Sequence, residues 1–412
     1  MRGYSITQAL SLPEYKVTGV QNSLDGLRIE VEPYKRKAFV CSHCGEEHRG
    51  TVNSIKNVTV EDLRISGKRV RLVVTKRRMK CEQDGRLHVE RVEWLKPRAR
   101  VTKRFAEDVY RLTSITTNTE AGWYLGLDDE KVYRIDFETL EDLAAKRLEP
   151  IPSPENMSVD EVSWRKYYRY LTNVIDVDIR KVIWNSMGRT SEVLDKFYNN
   201  LGKDNCSKIK SVALDGAMTY ISSTAKNAPG ALIVYDKFHV VQKLNTTVDT
   251  VRKLELRKAR QEKRDDLAEM MDCKQRFVLL KNKANLTENQ KNRLERLCAL
   301  NDSIYKAMLL KESFLEVYTK KDESSAQECL NAWFAQASAS GIGAFVALAE
   351  KFKVKARYIL NWFIKRISSA ISEGINNKIK RLKRMAYGYR NPHYFLLKIH
   401  QHCGLLSPRF SP

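Results

Sequence analysis

Apolar and polar positions alternate between residues 14 and 33, in EYKVTGVQNSLDGLRIEVEP, with a turn signal around Asn22 to Gly26. The alternation returns in KRVRLVVTKRRMKC. Period two reads as strands with one face buried, so residues 1–100 are expected to form a small β-rich module lined with Lys and Arg. From Thr102 the period lengthens. In TKRFAEDVYRLT, Phe105, Val109 and Leu112 share one helical face, and Thr102 fits the N-cap. TEAGWYLG predicts a second short helix turned by Gly126, and a third starts at Asp128 with Val132, Ile135 and Leu140 on one side. Three short helices with a glycine turn predict a helix-turn-helix over 101–148. The plainer alternative is a three-helix linker.

Pro150, Pro152 and Pro154 mark a linker. Beyond it the runs NMSVDEVSW, YRYLTNVIDVD and KVIWNSMG read as strands, SEVLDKFYNNLG as a helix, VALD as a strand, then a helix, then ALIVYD as a strand. That order predicts an α/β ribonuclease-H-like core, although many α/β domains begin similarly. From Gln242 to about Glu350 the chain is charged, with Leu at helical spacing, and a last long helix is expected from about Lys353 to Met385. The core is therefore assigned to 155–241 and 353–400, with 242–352 as an all-helical insertion.

Composition narrows the partner. The 412 residues carry 73 Lys plus Arg against 50 Asp plus Glu, a net charge of +23, which favours a polyanion. The basic residues run along the whole chain, which disfavours a membrane-surface role. No run of eighteen apolar residues appears, and the N-terminus lacks an apolar signal segment, so a cytoplasmic protein is expected. Of eight cysteines, Cys41, Cys44 and Cys81 cluster early. The other five are scattered and expected to be reduced.

VALD and ALIVYD each end a buried strand in a carboxylate, Asp215 and Asp236. Three carboxylates can hold two divalent cations about 4 Å apart and drive phosphodiester chemistry. A ribonuclease-H-like nuclease needs acids on its first strand, at the end of its fourth and on a later helix. Asp160, in SVDEVS, fits the first place and Asp215 the second, leaving the third to the C-terminal helix. That helix reads SEGINNKIKRLKRMAYGYRN, which resembles the signature of ISL-three (ISL3) family insertion-sequence transposases. PGALIVYDKFHVVQKLNTTVDTVRK, LLKNKANLTENQKNRLERL and the early CxxC followed by RRMKC are also similar to that family. The resemblance implies a DDE transposase that binds terminal inverted repeats and catalyses Mg²⁺- (or Mn²⁺-) dependent strand cleavage and transfer. It implies Asp160, Asp215 and Glu373 as catalytic metal ligands, with Asp236 and His239 supporting them from beside the site. Asp236 in place of Asp215 is the alternative second ligand. Double-stranded DNA and a homodimer or higher assembly are the implied partners. Two rival functions are a transposase-derived DNA-binding regulator without catalysis and a ribonuclease-H-like nuclease.

Cys41-x2-Cys44 is half of a zinc knuckle and Cys81 begins another. The family's second half is typically C-x2-C-G, whereas here Asp84 replaces the last cysteine. His88 is the expected fourth ligand of a structural Zn²⁺, with His43 or His48 as alternatives and Asp84 as a poorer match. Lys76, Arg77 and Arg78 near this module, Lys131 and Arg134 of the third helix, and Lys378, Lys380, Arg381, Lys383 and Arg384 after Glu373 are the expected DNA contacts.

Overall fold

The computed structural model describes residues 6–97, 100–165, 169–272, 276–281, 285–367 and 370–408. The chain falls into two units, Met1–Glu149 with Leu382–Pro412, and Pro150–Arg381. In the first, α1 (Ile6–Leu10) precedes β1 (Tyr15–Ser23) and β2 (Gly26–Pro33), the hairpin the alternation predicts. The short pair β3 (Phe39–Val40) and β4 (Glu47–His48) follows, then the long strands β5 (Ser54–Ile65) and β6 (Lys68–Lys80), and β7 (Leu87–Val89). The main sheet runs β1-β2-β6-β5, with β7 on β6. Its inward positions, including Ile29, Val31, Val60, Val70, Leu72 and Val74, form one apolar cluster.

Helices α2 (Lys103–Leu112), α3 (Asn118–Leu125) and α4 (Asp129–Arg147) come next. The Thr102 side chain caps α2 by accepting the Phe105 N–H, as its sequence position predicts. Thr117 and Glu120 form a reciprocal capping box on α3. Gly126 ends α3 at φ 67°, in the left-handed region where glycine carries no Cβ penalty. Phe105, Val109, Ala121, Leu125, Val132 and Ile135 pack together as the core of the three helices.

The second unit opens with β8 (Asn156–Arg165), β9 (Arg169–Asp176) and β10 (Lys181–Met187), followed by α5 (Ser191–Leu201), α6 (Lys203–Cys206), β11 (Ser211–Leu214), α7 (Met218–Asn227) and β12 (Leu232–Tyr235). The expected start of the second strand at Tyr168 lies outside the described residues. The strands form one sheet in the order β10-β9-β8-β11-β12. β8, β9 and β10 pair antiparallel, whereas β11 is parallel to both β8 and β12. β11 is buried along its whole length, as a central parallel strand of continuous apolar residues must be.

The helical region runs through α8 (Lys237–Gln261), α9 (Asp265–Met270), α10 (Arg276–Leu280), α11 (Glu288–Leu300), α12 (Asp302–Val317), α13 (Glu323–Ala339) and α14 (Gly343–Lys353). Trp333 is its hub, with ring centroids 4.8 Å from Phe314 and 6.1 Å from Phe352. The buried Lys311 ammonium donates to the carbonyls of Leu279, Leu280 and Lys281, closing the end of α10. The apolar cluster of this region includes Val240 and reaches Ile359 and Leu360.

The long helix expected from Lys353 to Met385 is divided into α15 (Ala356–Ile364) and α16 (Ala370–Met385). The Asn361 amide donates to the Ile233 carbonyl of β12 at 2.7 Å and ties α15 to that strand, and Lys365 turns to extended backbone. Local periodicity continues through this point because both pieces are amphipathic, but the tertiary bond fixes one of them.

The last helix, α17 (Pro392–Cys403), packs within the first unit. Tyr394 and Leu397 pack with Tyr110, Leu140 and Leu406. Lys398 is buried and donates to Asp136 at 3.2 Å and to the Thr113 carbonyl at 2.8 Å. Tyr394 donates to the same carboxylate at 2.6 Å. No disulfide joins any described cysteine, and Cys273 lies outside the described residues. Among the described residues no helix is long and apolar enough to cross a membrane.

Candidate functional site

Three aspartates line up on the sheet of the second unit. The β8–β11 register pairs Ala213 with Ser158, two residues before Asp215 and Asp160, and the Asp215 charge acts on Asp160. The β11–β12 register pairs Leu214 with Tyr235, and one further step sets Asp236 beside Asp215. Neighbouring strands are about 4.8 Å apart, so the row places Asp215 between the other two.

Each carboxylate has different company. Asp160 Oδ1 accepts the Glu161 N–H at 2.7 Å, and its Oδ2 accepts the Asn376 amide of α16 at 2.6 Å. Asp215 Oδ1 accepts the Ala217 N–H at 2.9 Å. Asp236 uses both oxygens: one caps α8 through the Phe238 N–H at 3.0 Å, and the other pairs with His239 Nδ1 at 2.8 Å. Gly216 follows Asp215 at φ 78°, and a Cβ there would lie 2.5 Å from the Tyr235 ring. The Gly216 carbonyl accepts the Lys355 ammonium at 2.6 Å.

Burial raises the pKa of Asp160, and the neighbouring Asp215 charge raises it further, against the lowering influence of His239. Glu161 is raised chiefly by burial. For His239, burial acts downward, but the Asp236 bond and the Asp160 charge outweigh it and the imidazole is raised.

Helix α16 meets this edge through two polar contacts, Asn376 on Asp160 and Ser372 on Ser158 at 2.8 Å. Ile375, Asn376 and Ile379 form its buried side, whereas Glu373, Lys380 and Arg381 are exposed. Glu373 lies one turn before Asn376 and is not drawn in as tightly. Among the described residues no three acid or imidazole ligand atoms at this edge lie within 4.8 Å of one another. Sequence reading did not single out Asn173, which pairs directly across from Asp160 on β9. Both polar atoms of its buried side chain lack a partner, as does Asn376 Oδ1. No local signal marks Asn173; its place comes only from strand pairing.

In the first unit, Cys41, Cys44, Cys81 and His48 place four ligand atoms within 4.8 Å of one another. Cys44 Sγ is 3.0 Å from His48 Nε2 and 3.8 Å from Cys81 Sγ. Burial acts upward on Cys41, but amide N–H groups of Cys44 and His43 and the neighbouring thiols outweigh it, so its thiol is held below the usual value. His48, not His88, completes the set. β4 pairs with β3 and carries His48 back over Cys44, while His88 bonds Asp84 at 2.7 Å. The donor set of three thiolates and one imidazole suits a closed tetrahedral zinc site.

The expected DNA contacts divide by exposure. Arg78, Arg134, Lys378, Lys380, Arg381 and Arg384 are exposed, whereas Lys76, Lys131 and Lys383 are half-buried. Arg77 is occupied: it grips the buried Glu90 at 2.6 Å and donates to the Lys37 and Ala38 carbonyls. Its place beside the basic strand is structural, because an uncompensated Glu90 would be costly. Lys131 lies 3.7 Å from Glu61.

Two family models match the chain in the regions that hold these residues. Residues 157–399 match the ISL3 DDE family model, described as a transposase, and residues 37–84 match the zinc-finger of the IS204/IS1001/IS1096/IS1165 transposases. The chain is 33% identical over 367 residues, 88% of each chain, to the transposase for insertion sequence element IS1001 of Bordetella parapertussis. It is 28% identical over 267 residues, 60% of each chain, to the transposase for element IS1557 of Mycobacterium tuberculosis.

Proposed function

The chain belongs to the ISL3 family of transposases, and from that premise we propose that it cuts and joins DNA at the ends of an insertion sequence, using Asp160, Asp215 and Glu373. The observation that carries this reading is Asp160 on β8 with Asp215 directly after the neighbouring parallel strand β11, and Asn376 of α16 bonded to Asp160. The strand order β10-β9-β8-β11-β12 fits a ribonuclease-H-like core.

The residues fit a hydrated divalent cation. Asp160 and Asp215 supply oxygen ligands, and the unpartnered polar atoms of Asn173 and Asn376 suit the waters that Mg²⁺ keeps. When bound, Mg²⁺ or Mn²⁺ supplies Lewis-acid activation of the attacking oxygen and stabilises the leaving one. Asn376 holds the Asp160 carboxylate in one orientation, and Asp236 with His239 fixes the start of α8 beside Asp215. Asp236 is the weaker candidate for second ligand because it caps α8 through the Phe238 N–H and is paired with the His239 imidazole. Glu373, exposed one turn before Asn376 on α16, would supply the third carboxylate to the cation.

Recognition falls to the first unit. Helices α2 to α4 form a helix-turn-helix in this reading, with α4 as the recognition helix and Arg134 on its exposed side. The tight α3–α4 turn supports it: a Cβ on Gly122 would lie 2.7 Å from the Leu127 carbonyl. The zinc knuckle stiffens the end of the basic strand β6 beside it. End DNA is held as double strand by a dimer or larger assembly. Footprinting of the full-length protein on DNA carrying the element's inverted repeats tests this. Protection of the repeats is expected, and equal protection of unrelated sequence contradicts it.

A further inference from the structure

The two knuckles follow one plan. Cys41-x2-Cys44-Gly45-x2-His48 and Cys81-x2-Asp84-Gly85-x2-His88 share the same spacing. Each turn closes through the glycine N–H onto the first cysteine's carbonyl, Gly45 on Cys41 at 3.0 Å and Gly85 on Cys81 at 2.9 Å. Both glycines have positive φ, 80° and 69°. Each histidine sits on the returning strand, His48 paired with Phe39 and His88 with Met79. The first knuckle gives Cys41, Cys44 and His48 to the cysteine site, but the second gives only Cys81. Asp84 and His88, the counterparts of Cys44 and His48, remain outside it.

They are not left alone. His43, from the tip of the first knuckle, stacks on His88 with ring centroids 4.7 Å apart and planes 9° from parallel. His43 Nε2 lies 3.6 Å from Asp84 Oδ2, and His88 Nε2 lies 2.7 Å from the same oxygen. One ligand atom from each of the three residues falls within 4.8 Å of the others. Asp84 is anchored by the Arg86 N–H on its other oxygen at 2.9 Å.

We propose that His43, Asp84 and His88 form a second divalent-metal site beside the cysteine site, taking Zn²⁺ or a cation of similar preference such as Co²⁺. Two imidazoles and one carboxylate are a donor set such ions accept, with at least one position left to solvent. Ligand atoms around zinc stand roughly 3.3 Å apart at ordinary bond lengths, so the His88–Asp84 contact has to open and the His43–Asp84 pair to close slightly on binding. Because the three ligands come from both knuckles, filling the cysteine site assembles the second site in advance. The second ion therefore binds after the first and more weakly, and it cross-links the knuckle tips where the second cysteine pair is incomplete.

Full-length protein carrying zinc in its cysteine site is titrated with Co²⁺ in excess Mg²⁺, which occupies the acidic edge. The expected result is one saturable equivalent of cobalt with d–d absorption and no thiolate-to-cobalt charge transfer. In the H43A/H88A variant that equivalent is lost, while one zinc per chain is retained. Both histidines are at least partly exposed, and the retained zinc verifies that the module is folded. No saturable cobalt in the wild type, or equal uptake by the variant, overturns the proposal and leaves Asp84–His88 as a hydrogen-bonded pair only.

Discussion

Asp160 carries the largest conflict between folding and chemistry. Its carboxylate is half-buried, raised in pKa by burial and by Asp215, and held by Asn376. A raised aspartate contributes most stability below its unfolded pKa of about 3.9 and loses it as pH rises through its higher folded value. At neutral pH the ionised side chain is therefore a cost. Asp160→Asn should melt higher than the wild type in metal-free buffer, by roughly 2–4 °C if the gain is about 1 kcal/mol. Mg²⁺ should narrow the gap by stabilising only the wild type. A lower melting temperature for the variant at neutral pH contradicts the assignment. The same shift predicts that Mg²⁺ binding to the free protein falls with acidification while the pH is still above the ordinary aspartate range. A pH profile that stays flat down to about 4 would contradict it. The placement of Asp160 within a strand and of Asp215 directly after one was legible because a carboxylate in or ending an apolar run is a strong local signal. Asn173 and the choice of His48 over His88 were not, since both depend on which strands pair.

Among the elements, the β11–α7 turn and α17 are the most exposed to test. Gly216→Ala adds a Cβ against the Tyr235 ring at a left-handed position, so it should destabilise the second unit and displace Asp215. A fall in both melting temperature and cleavage, with end binding retained, is expected; unchanged cleavage would separate this turn from the site. Lys398→Ala leaves Asp136 buried without its cation, a change that costs about 3–5 kcal/mol when a buried pair is broken. Denaturant melts of the full chain should show the loss, and a change under about 1 kcal/mol would show that the pair is not balanced as described. The helices α2 to α4 were readable from caps and period, but the debt of their bundle to α17 was not. That contact joins Asp136 to Lys398 across most of the chain, and no window of local sequence holds both.

For the whole molecule, the net charge of +23 predicts DNA affinity that falls steeply with salt. Each neutralised phosphate contributes a slope of about −0.9 in log K against log salt for duplex DNA. Neutralising Lys380 and Arg381 together should flatten that slope by about 2 if both face phosphates, and an unchanged slope would remove α16 from the DNA surface. The overall plan was legible as a sequence of period changes, from alternation to helix to alternation again. The division of the chain was less so, because the C-terminal segment returns to the first unit from Leu382, within α16. The most direct test of the account is strand cleavage of element-end DNA in Mg²⁺ by the wild type, D160N, D215N, D236N and E373Q, with binding measured alongside. The account predicts that D160N, D215N and E373Q bind normally and lose cleavage by roughly two to four orders of magnitude, the scale of losing one transition-state stabilising group, while D236N retains more. Cleavage near the wild-type rate by D160N or E373Q, or by D215N when D236N is inactive, would contradict it.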